Sequence, residues 1–334
     1  MPMTTPTLLV LGRAEVEACL DWESLMRSQR AALIAVSDGT AVLPARLLVP
    51  GADDQVAFCY AARLSPESPA VSKFGCVSPR NLTVGLPTIS AVVTVLDDTT
   101  GFPRALLDGS AITEQRTAAA SAVAIATLLP GVGPRTEVVV IGAGVQAAAH
   151  IRVLHEALGV RRFSVGGASA EEAEAFVERH GSALPDVTIT PLRSRDETAR
   201  ATRAATLVIT CTSSRTPVIE NEWISDDTLV VSLGSFAPDR CEVPTALVGR
   251  AVTVVDSRPD ALTDAGCVVG AVAEGLLTES DITEIGDLLR GVAALPIGGP
   301  ILYNTIGVGT QDAAAALSVL EVAATRGIGR SIAL

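Results

Sequence analysis

The hydrophobic positions of this chain fall into two regimes. Between about residues 137 and 255, short runs of consecutive apolar, mostly β-branched residues (137–141, 162–165, 187–190, 206–211, 228–233 and 251–255) alternate with longer stretches of helical character. A strand that is apolar at every position is buried on both faces, so this alternation predicts a doubly wound parallel sheet covered by helices. Residues 1 to about 115 read differently. An amphipathic helix over 13–35 precedes strand-like stretches at 41–49, 56–60, 72–77, 88–96 and 105–108, separated by Gly and Pro, the pattern of a mainly antiparallel α+β unit. From Thr113, TEQRTAAASAVAIATLLPGVG opens on a candidate N-cap, runs through strong helix formers and stops at Pro and Gly, so it predicts a connecting helix. From about Gly299 come a glycine-rich turn and an alanine-rich helix over 312–325.

Composition narrows the class. Aromatic residues are only 3% of the 334, so the cores are built from Ala, Val, Leu and Ile. A net charge of −12 argues against nucleic acid and anionic membrane as partners, because neutralising phosphates takes clustered Lys and Arg. The six cysteines (Cys19, Cys59, Cys76, Cys211, Cys241, Cys267) show no metal-ligand spacing and are too sparse for a disulfide framework, so no metal is expected and a reducing compartment is. No stretch offers the roughly 18 uninterrupted apolar residues of a membrane span, and no basic leader precedes an apolar run. The expected location is the cytoplasm.

One residue departs from the composition. Of the 25 basic residues only Lys73 is a lysine, inside AVSKFGCVSPRN. An ammonium differs from a guanidinium in being a compact charge whose pKa burial can lower, which suits proton transfer beside a substrate; the alternative is chance survival of one lysine. A second cation stands out by position. Arg116 falls in the first turn expected for the connecting helix, where the dipole disfavours positive charge unless an anionic ligand is shared; a solvated surface arginine is the alternative.

EVVVIGAGVQAAAH places Gly142, Gly144 and Ala147 as G-x-G-x-x-A between an expected strand and an expected helix. The glycines permit a tight turn and close approach of backbone to a pyrophosphate, which the helix N-terminus then holds, with Val145 and Gln146 at its start. The second strand ends in SVGGAS, where an acid commonly binds the ribose 2′-hydroxyl. Gly166, Gly167 and Ala168 supply none and Ser169 is placed to bond a phosphate, so NADP is favoured over NAD.

These residues resemble the ornithine cyclodeaminase/mu-crystallin family. The matching stretches are LPARLLVP, VSKFGCVSPRN, VGLPTISAVVTVLDDTTGFPRALLDGSAITEQRTAAAS, VVVIGAGVQA, TCTSSRTPV, SLGSFAPDRCEV, VDSRPDAL and YNTIGVGTQDAAAAL, spread over about residues 10 to 330. The resemblance implies a homodimer in which 1–115, with 300–334 returning to it, forms a substrate-binding and dimerisation domain, and 116–299 a Rossmann domain. It further implies that Arg46 and Arg116 bind a substrate carboxylate with Lys73 near the reacting nitrogen. Thr212, Ser213 and Ser214 would line the cofactor, and Thr305 and Gly307 the nicotinamide region.

The departures from the family pattern bear on the reaction. Where the cyclodeaminases carry one carboxylate this chain has Phe236, and where they carry a Glu it has Ala57, followed by Cys59 and Tyr60. Cys59 and Phe236 are therefore expected to make a less polar pocket. The expectation is the reductase branch: an NAD(P)H-dependent reductase of a C=N bond in a small carboxylate-bearing substrate, with Lys73 as proton donor. A cyclodeaminase and a non-catalytic dinucleotide-dependent binding protein are the competing readings. His150, His155 and His180, in expected helices, are given no role, and Asp239 and Glu242 are expected to brace the loop after the fifth Rossmann strand.

Overall fold

The computed structural model describes residues 7–334, which form two compact units: 7–117 with 308–334, and 118–307. In the first unit, β1 (Thr7–Leu11), α1 (Arg13–Cys19) and α2 (Trp22–Ser37) precede β2 (Leu47–Pro50), β3 (Val56–Ala62), β4 (Val71–Val77), β5 (Ile89–Leu96) and β6 (Pro103–Asp108). The single helix expected over 13–35 is two. The chain is extended at Leu20 and Asp21, and the Asp21 carboxylate accepts from Ser24 N at 2.9 Å to start α2. The strand expected at 41–49 is reduced to β2 and a bridge between Val42 and Arg63.

α3 (Gly109–Leu128) begins four residues before the expected cap. Asp108 Oδ1 accepts from Ala111 N at 2.7 Å, whereas the Thr113 hydroxyl bonds back to Gly109 O at 2.7 Å inside the helix. Arg116 therefore lies beyond the first turn, and the dipole argument for it does not apply.

The second unit alternates strand and helix. It runs β7 (Glu137–Ile141), α4 (Val145–Leu158), β8 (Arg162–Gly166), α5 (Ala170–His180), β9 (Thr188–Leu192), α6 (Arg195–Ala204), β10 (Leu207–Thr210), β11 (Leu229–Ser232), α7 (Thr245–Arg250), β12 (Val252–Val255), α8 (Arg258–Asp264), α9 (Gly266–Ala273), β13 (Thr283–Glu284), α10 (Ile285–Arg290) and β14 (Ile301–Asn304). Its eight strands are all parallel, in the order β13-β12-β14-β11-β10-β7-β8-β9, as the apolar runs predict. β14 lies in the stretch expected as a glycine-rich turn, yet it enters the sheet between β11 and β12.

The chain then returns to the first unit as α11 (Gly309–Arg326) and β15 (Arg330–Ala333). The sheet there has the order β15-β1-β6-β5-β4-β3-β2, antiparallel except between β1 and β6. α11 packs on β3, β4 and β5 and against α2, whose buried stripe of Leu25, Gln29, Ala32 and Leu33 follows the helical period. Among the described residues no helix is long and apolar enough to cross a membrane.

Candidate active site

The alternation of β4 buries Val71, Lys73 and Gly75 on the face that α11 covers and leaves Phe74 exposed on the other. Lys73 pairs in register with Tyr60 of β3 and Val93 of β5. Its ammonium is 5.0 Å from the centroid of the Tyr60 ring and 5.9 Å from that of Phe58. Only 5% of Lys73 is exposed, and its Nζ donates to Asp312 Oδ2 at 2.8 Å and to Thr113 Oγ1 at 3.2 Å.

Arg116, also buried, reaches the same carboxylate, its Nε donating to Asp312 Oδ1 at 3.2 Å while Nη1 donates to Gln311 Oε1 at 2.7 Å. Asp312 thus holds one cation on each oxygen. Burial raises the proton affinity of its carboxyl, but the Arg116 guanidinium and the Lys73 ammonium outweigh that and hold it below the usual carboxylate range. Burial, with help from Arg116, pulls Lys73 below the usual lysine range against the attraction of Asp312. Beside this pair the Gln311 amide is tied through Oε1 to Arg116 and to Val308 N, while its Nε2 is buried without a partner.

Arg46 stands half-buried directly before β2. Leu47 pairs with Cys59 and Tyr60 with Lys73, so Arg46 enters the sheet at the level of Lys73, two strands away. Cys59 is not a pocket residue of this face. It pairs with exposed Phe74, so strand alternation turns it away from Lys73, and Tyr60 takes the inward place. Ala57 lies on the same outward face, so the absence of an acid there leaves the Lys73 side unchanged.

In the second unit β7 runs into the glycine loop. Gly142 has φ of 123°, and a Cβ there would lie 2.8 Å from Cys211 O, so both conformation and packing require glycine. Gly144 is the N-cap of α4; no side chain caps this end, and a Cβ at Gly144 would meet nothing within 4 Å. An uncapped helix N-terminus facing open space across a glycine fits a pyrophosphate. Val145 is exposed at the helix start, whereas Gln146 O accepts from His150 Nδ1 at 2.7 Å. His150 is buried, which lowers its pKa to about 4 and keeps the ring neutral.

The loops after β10 and β11 are braced by one carboxylate. Glu242, fully buried, accepts from Thr210 Oγ1 (2.9 Å), Thr212 N (2.5 Å), Thr212 Oγ1 (2.7 Å), Ser232 Oγ (3.1 Å) and Gly234 N (2.5 Å). This fixes the backbone on which Ser213 and Ser214 follow. Arg240 donates to Ser213 O at 2.9 Å and stacks on the ring of Phe236, 5.0 Å away. Asp239, in contrast, is a surface partner of Arg215 at 3.3 Å.

Asp256 plays the equivalent part after β12, accepting from Thr305 Oγ1 at 2.7 Å and Gly307 N at 2.8 Å. The donors of both expected nicotinamide-region residues are therefore committed, and Thr305 Oγ1 remains available only as an acceptor. Burial pushes the Asp256 carboxyl up, opposed by these two bonds.

Residues 166–169 carry no acid, as the sequence reads, but one reaches back to them from the next helix. Glu172, in the first turn of α5, turns its Oε2 back to accept from Ala168 N at 2.7 Å, and Ser169 is engaged as the α5 cap, accepting from Glu172 N at 3.3 Å. Asp312, Gln311, Asp256 and Glu172 escaped the sequence reading. Signals existed: Asp312 is the sole acid in 309–320, Asp256 ends an apolar strand, and Ser169-x-x-Glu172 is a capping-box spacing.

Residues 7–327 match the model of the ornithine cyclodeaminase/mu-crystallin family. The chain is 34% identical over 302 residues to Delta(1)-pyrroline-2-carboxylate reductase 2 of Burkholderia ambifaria, covering 90% of this chain and 92% of that protein. It is 32% identical over 320 residues to the Delta(1)-pyrroline-2-carboxylate/Delta(1)-piperideine-2-carboxylate reductase of Azospirillum brasilense, covering 96% and 97%. The structure of Thermococcus litoralis Delta(1)-pyrroline-2-carboxylate reductase in complex with NADH and L-proline superposes with a TM-score of 0.89 at 26% identity, covering 97% of this chain and 100% of that one.

Proposed function

The chain belongs to the ornithine cyclodeaminase/mu-crystallin family, and we propose that it is a nicotinamide-dinucleotide-dependent reductase of the C=N bond in a cyclic imine carboxylate of the pyrroline- or piperideine-2-carboxylate type. The observation that carries this reading is the buried Lys73–Asp312–Arg116 cluster: two cations of different chemistry, fixed on one carboxylate, in a protein whose relatives reduce such imines. A bound reduced nicotinamide supplies the hydride received by the imine carbon.

The residues of this chain do the rest. Arg116, fixed through Nε and Nη1, keeps Nη2 for a substrate carboxylate; Arg46 is the second clamp and Gln311 Nε2 a further donor. Lys73 delivers the proton that the imine nitrogen takes as hydride adds to carbon. Its lowered pKa makes that release less costly than from an exposed lysine, and solvent then restores the proton. The rings of Tyr60 and Phe58 exclude water on one side of the ammonium.

In this reading the first unit holds the substrate and the second the dinucleotide, on Gly142, Gly144, Val145, Gln146, the 212–214 loop, Thr305 and Gly307, with Phe236 as an apolar wall. The working form is a homodimer. Its support is the outer face of the first sheet, where Leu47, Cys59, Phe74 and Val92 stand in register across four strands and Leu47 is 61%, Phe74 56% and Val92 42% exposed.

The test is a set of reactions of the purified protein with Δ1-pyrroline-2-carboxylate and Δ1-piperideine-2-carboxylate and each reduced nicotinamide, followed by loss of nicotinamide absorbance. Stoichiometric cofactor oxidation with proline or pipecolate formed is the expected result. Ammonia release from ornithine or lysine without net cofactor oxidation would identify a cyclodeaminase instead.

A further inference from the structure

The two nicotinamide dinucleotides differ only by a phosphate on the adenosine ribose 2′-oxygen, and in a doubly wound sheet that ribose lies beside the end of the strand next to the glycine-loop strand. Here that strand is β8, paired along its length with β7, and the loop after it is 166–169. The loop carries no cation. Its outward donor, Ala168 N, is capped by Glu172 Oε2 at 2.7 Å, and both Glu172 and Ala168 are exposed, so the carboxylate lies on the solvent side of the loop.

Ser169 has no spare reach toward a phosphate. Its hydroxyl oxygen accepts from Glu172 N at 3.3 Å and the hydroxyl bonds the Glu171 carboxylate, which lowers that acid's pKa. A second negative charge thus stands in the same turn. Arg193, which follows β9 beside β8, is the cation of the neighbouring loop, and it is spent on Glu174, 2.5 Å away, while its N donates to Glu197.

We propose that Glu172 makes this protein select NAD(H) over NADP(H), its carboxylate accepting a hydrogen bond from the ribose 2′-hydroxyl and repelling a 2′-phosphate. The selecting acid comes from the first turn of the helix and folds back over the strand end, and it acts in the absence of one on the strand itself. The proposal rests on the dinucleotide reading above.

The test is binding, measured by calorimetric titration of the full chain with NADH and with NADPH, without substrate. NADH is expected to bind at least ~10-fold more tightly, since a 2′-phosphate brought against the Glu172 carboxylate sets like charges together. Glu172→Gln keeps an oxygen for Ala168 N, so its melting temperature should stay unchanged while the preference collapses, chiefly through a gain for NADPH. Adding Ala168→Arg to that variant should reverse the preference. Equal or tighter binding of NADPH by the unmodified protein, or an unaltered ratio in Glu172→Gln, overturns the assignment. Binding of neither dinucleotide would remove the underlying dinucleotide reading as well, and a wrong ratio removes this assignment alone.

Discussion

Replacing Asp312 by Asn tests the electrostatic centre of the site with little change of shape. The wild-type carboxylate faces Lys73 at 2.8 Å and Arg116 at 3.2 Å, with all three side chains at most 8% exposed. Asn keeps one acceptor oxygen and removes the charge, so two buried cations lose their common counterion. Breaking a buried ion pair from one side costs about 3–5 kcal/mol, and for a protein of this size that corresponds to a melting temperature roughly 10 °C lower.

The pH dependence is what separates this account from simple loss of packing. The folded pKa of Lys73 lies below its unfolded value of 10.5, so the unfolded chain binds more protons between the two values and stability rises with pH across that window. Without Asp312 the folded pKa falls further and Lys73 sheds its proton sooner, which removes one of the uncompensated charges. The deficit of Asp312→Asn should therefore shrink as pH rises from neutrality toward the unfolded value of 10.5. At the acid end, the contribution of Asp312 is fully present above its unfolded value of 3.8 and lost as pH falls through the lower folded value, so variant and wild type should converge there. Thermal melts followed by circular dichroism across this range are the assay. A deficit under about 1 kcal/mol at neutral pH, or one that does not vary with pH, would refute the reasoning.

Lys73→Arg keeps the charge and loses the compact, easily deprotonated donor; turnover should drop by roughly 10²-fold in steady-state kinetics, with dinucleotide affinity unchanged. Gly144→Val places its side chain in open space at an extended φ of −95°, so the fold should survive while calorimetric titration shows dinucleotide binding abolished. His150, neutral in the fold with a pKa near 4 against 6.5 when unfolded, makes stability fall as pH drops from 6.5 toward 4, by about 3 kcal/mol in full; His150→Leu should flatten that part of the profile in chemical denaturation.

The sequence was legible where one physical signal dominated. Strands buried on both faces write themselves as unbroken apolar runs, so β7, β10 and β11 could be read directly. β14 was hidden because Ile301–Asn304 is four residues long and follows Gly-Gly-Pro, local chemistry that resembles a turn, and only its neighbours β11 and β12 make it a strand. Lys73 announced itself by being the one lysine. Asp312 did not, because the burial that makes it consequential comes from β4 and α3, far away in the chain. Cys59 was misplaced for a related reason: which side of β3 faces α11 is set by register, and composition says nothing about register.

The late return of the chain to its first unit has a consequence during synthesis. Lys73 meets Asp312, 239 positions further along the chain, and β1 waits for β15 to cover its free edge. A ribosome therefore exposes an unfinished sheet, with two cations still without their carboxylate, throughout translation of the entire 118–307 unit, which has all of its own strands by Asn304 and can close first. The part made first is thus the part finished last, and a chain stopped short of α11 by a nonsense codon or a protease would retain a complete parallel sheet while lacking both the lid of its apolar face and the acid that pairs its lysine.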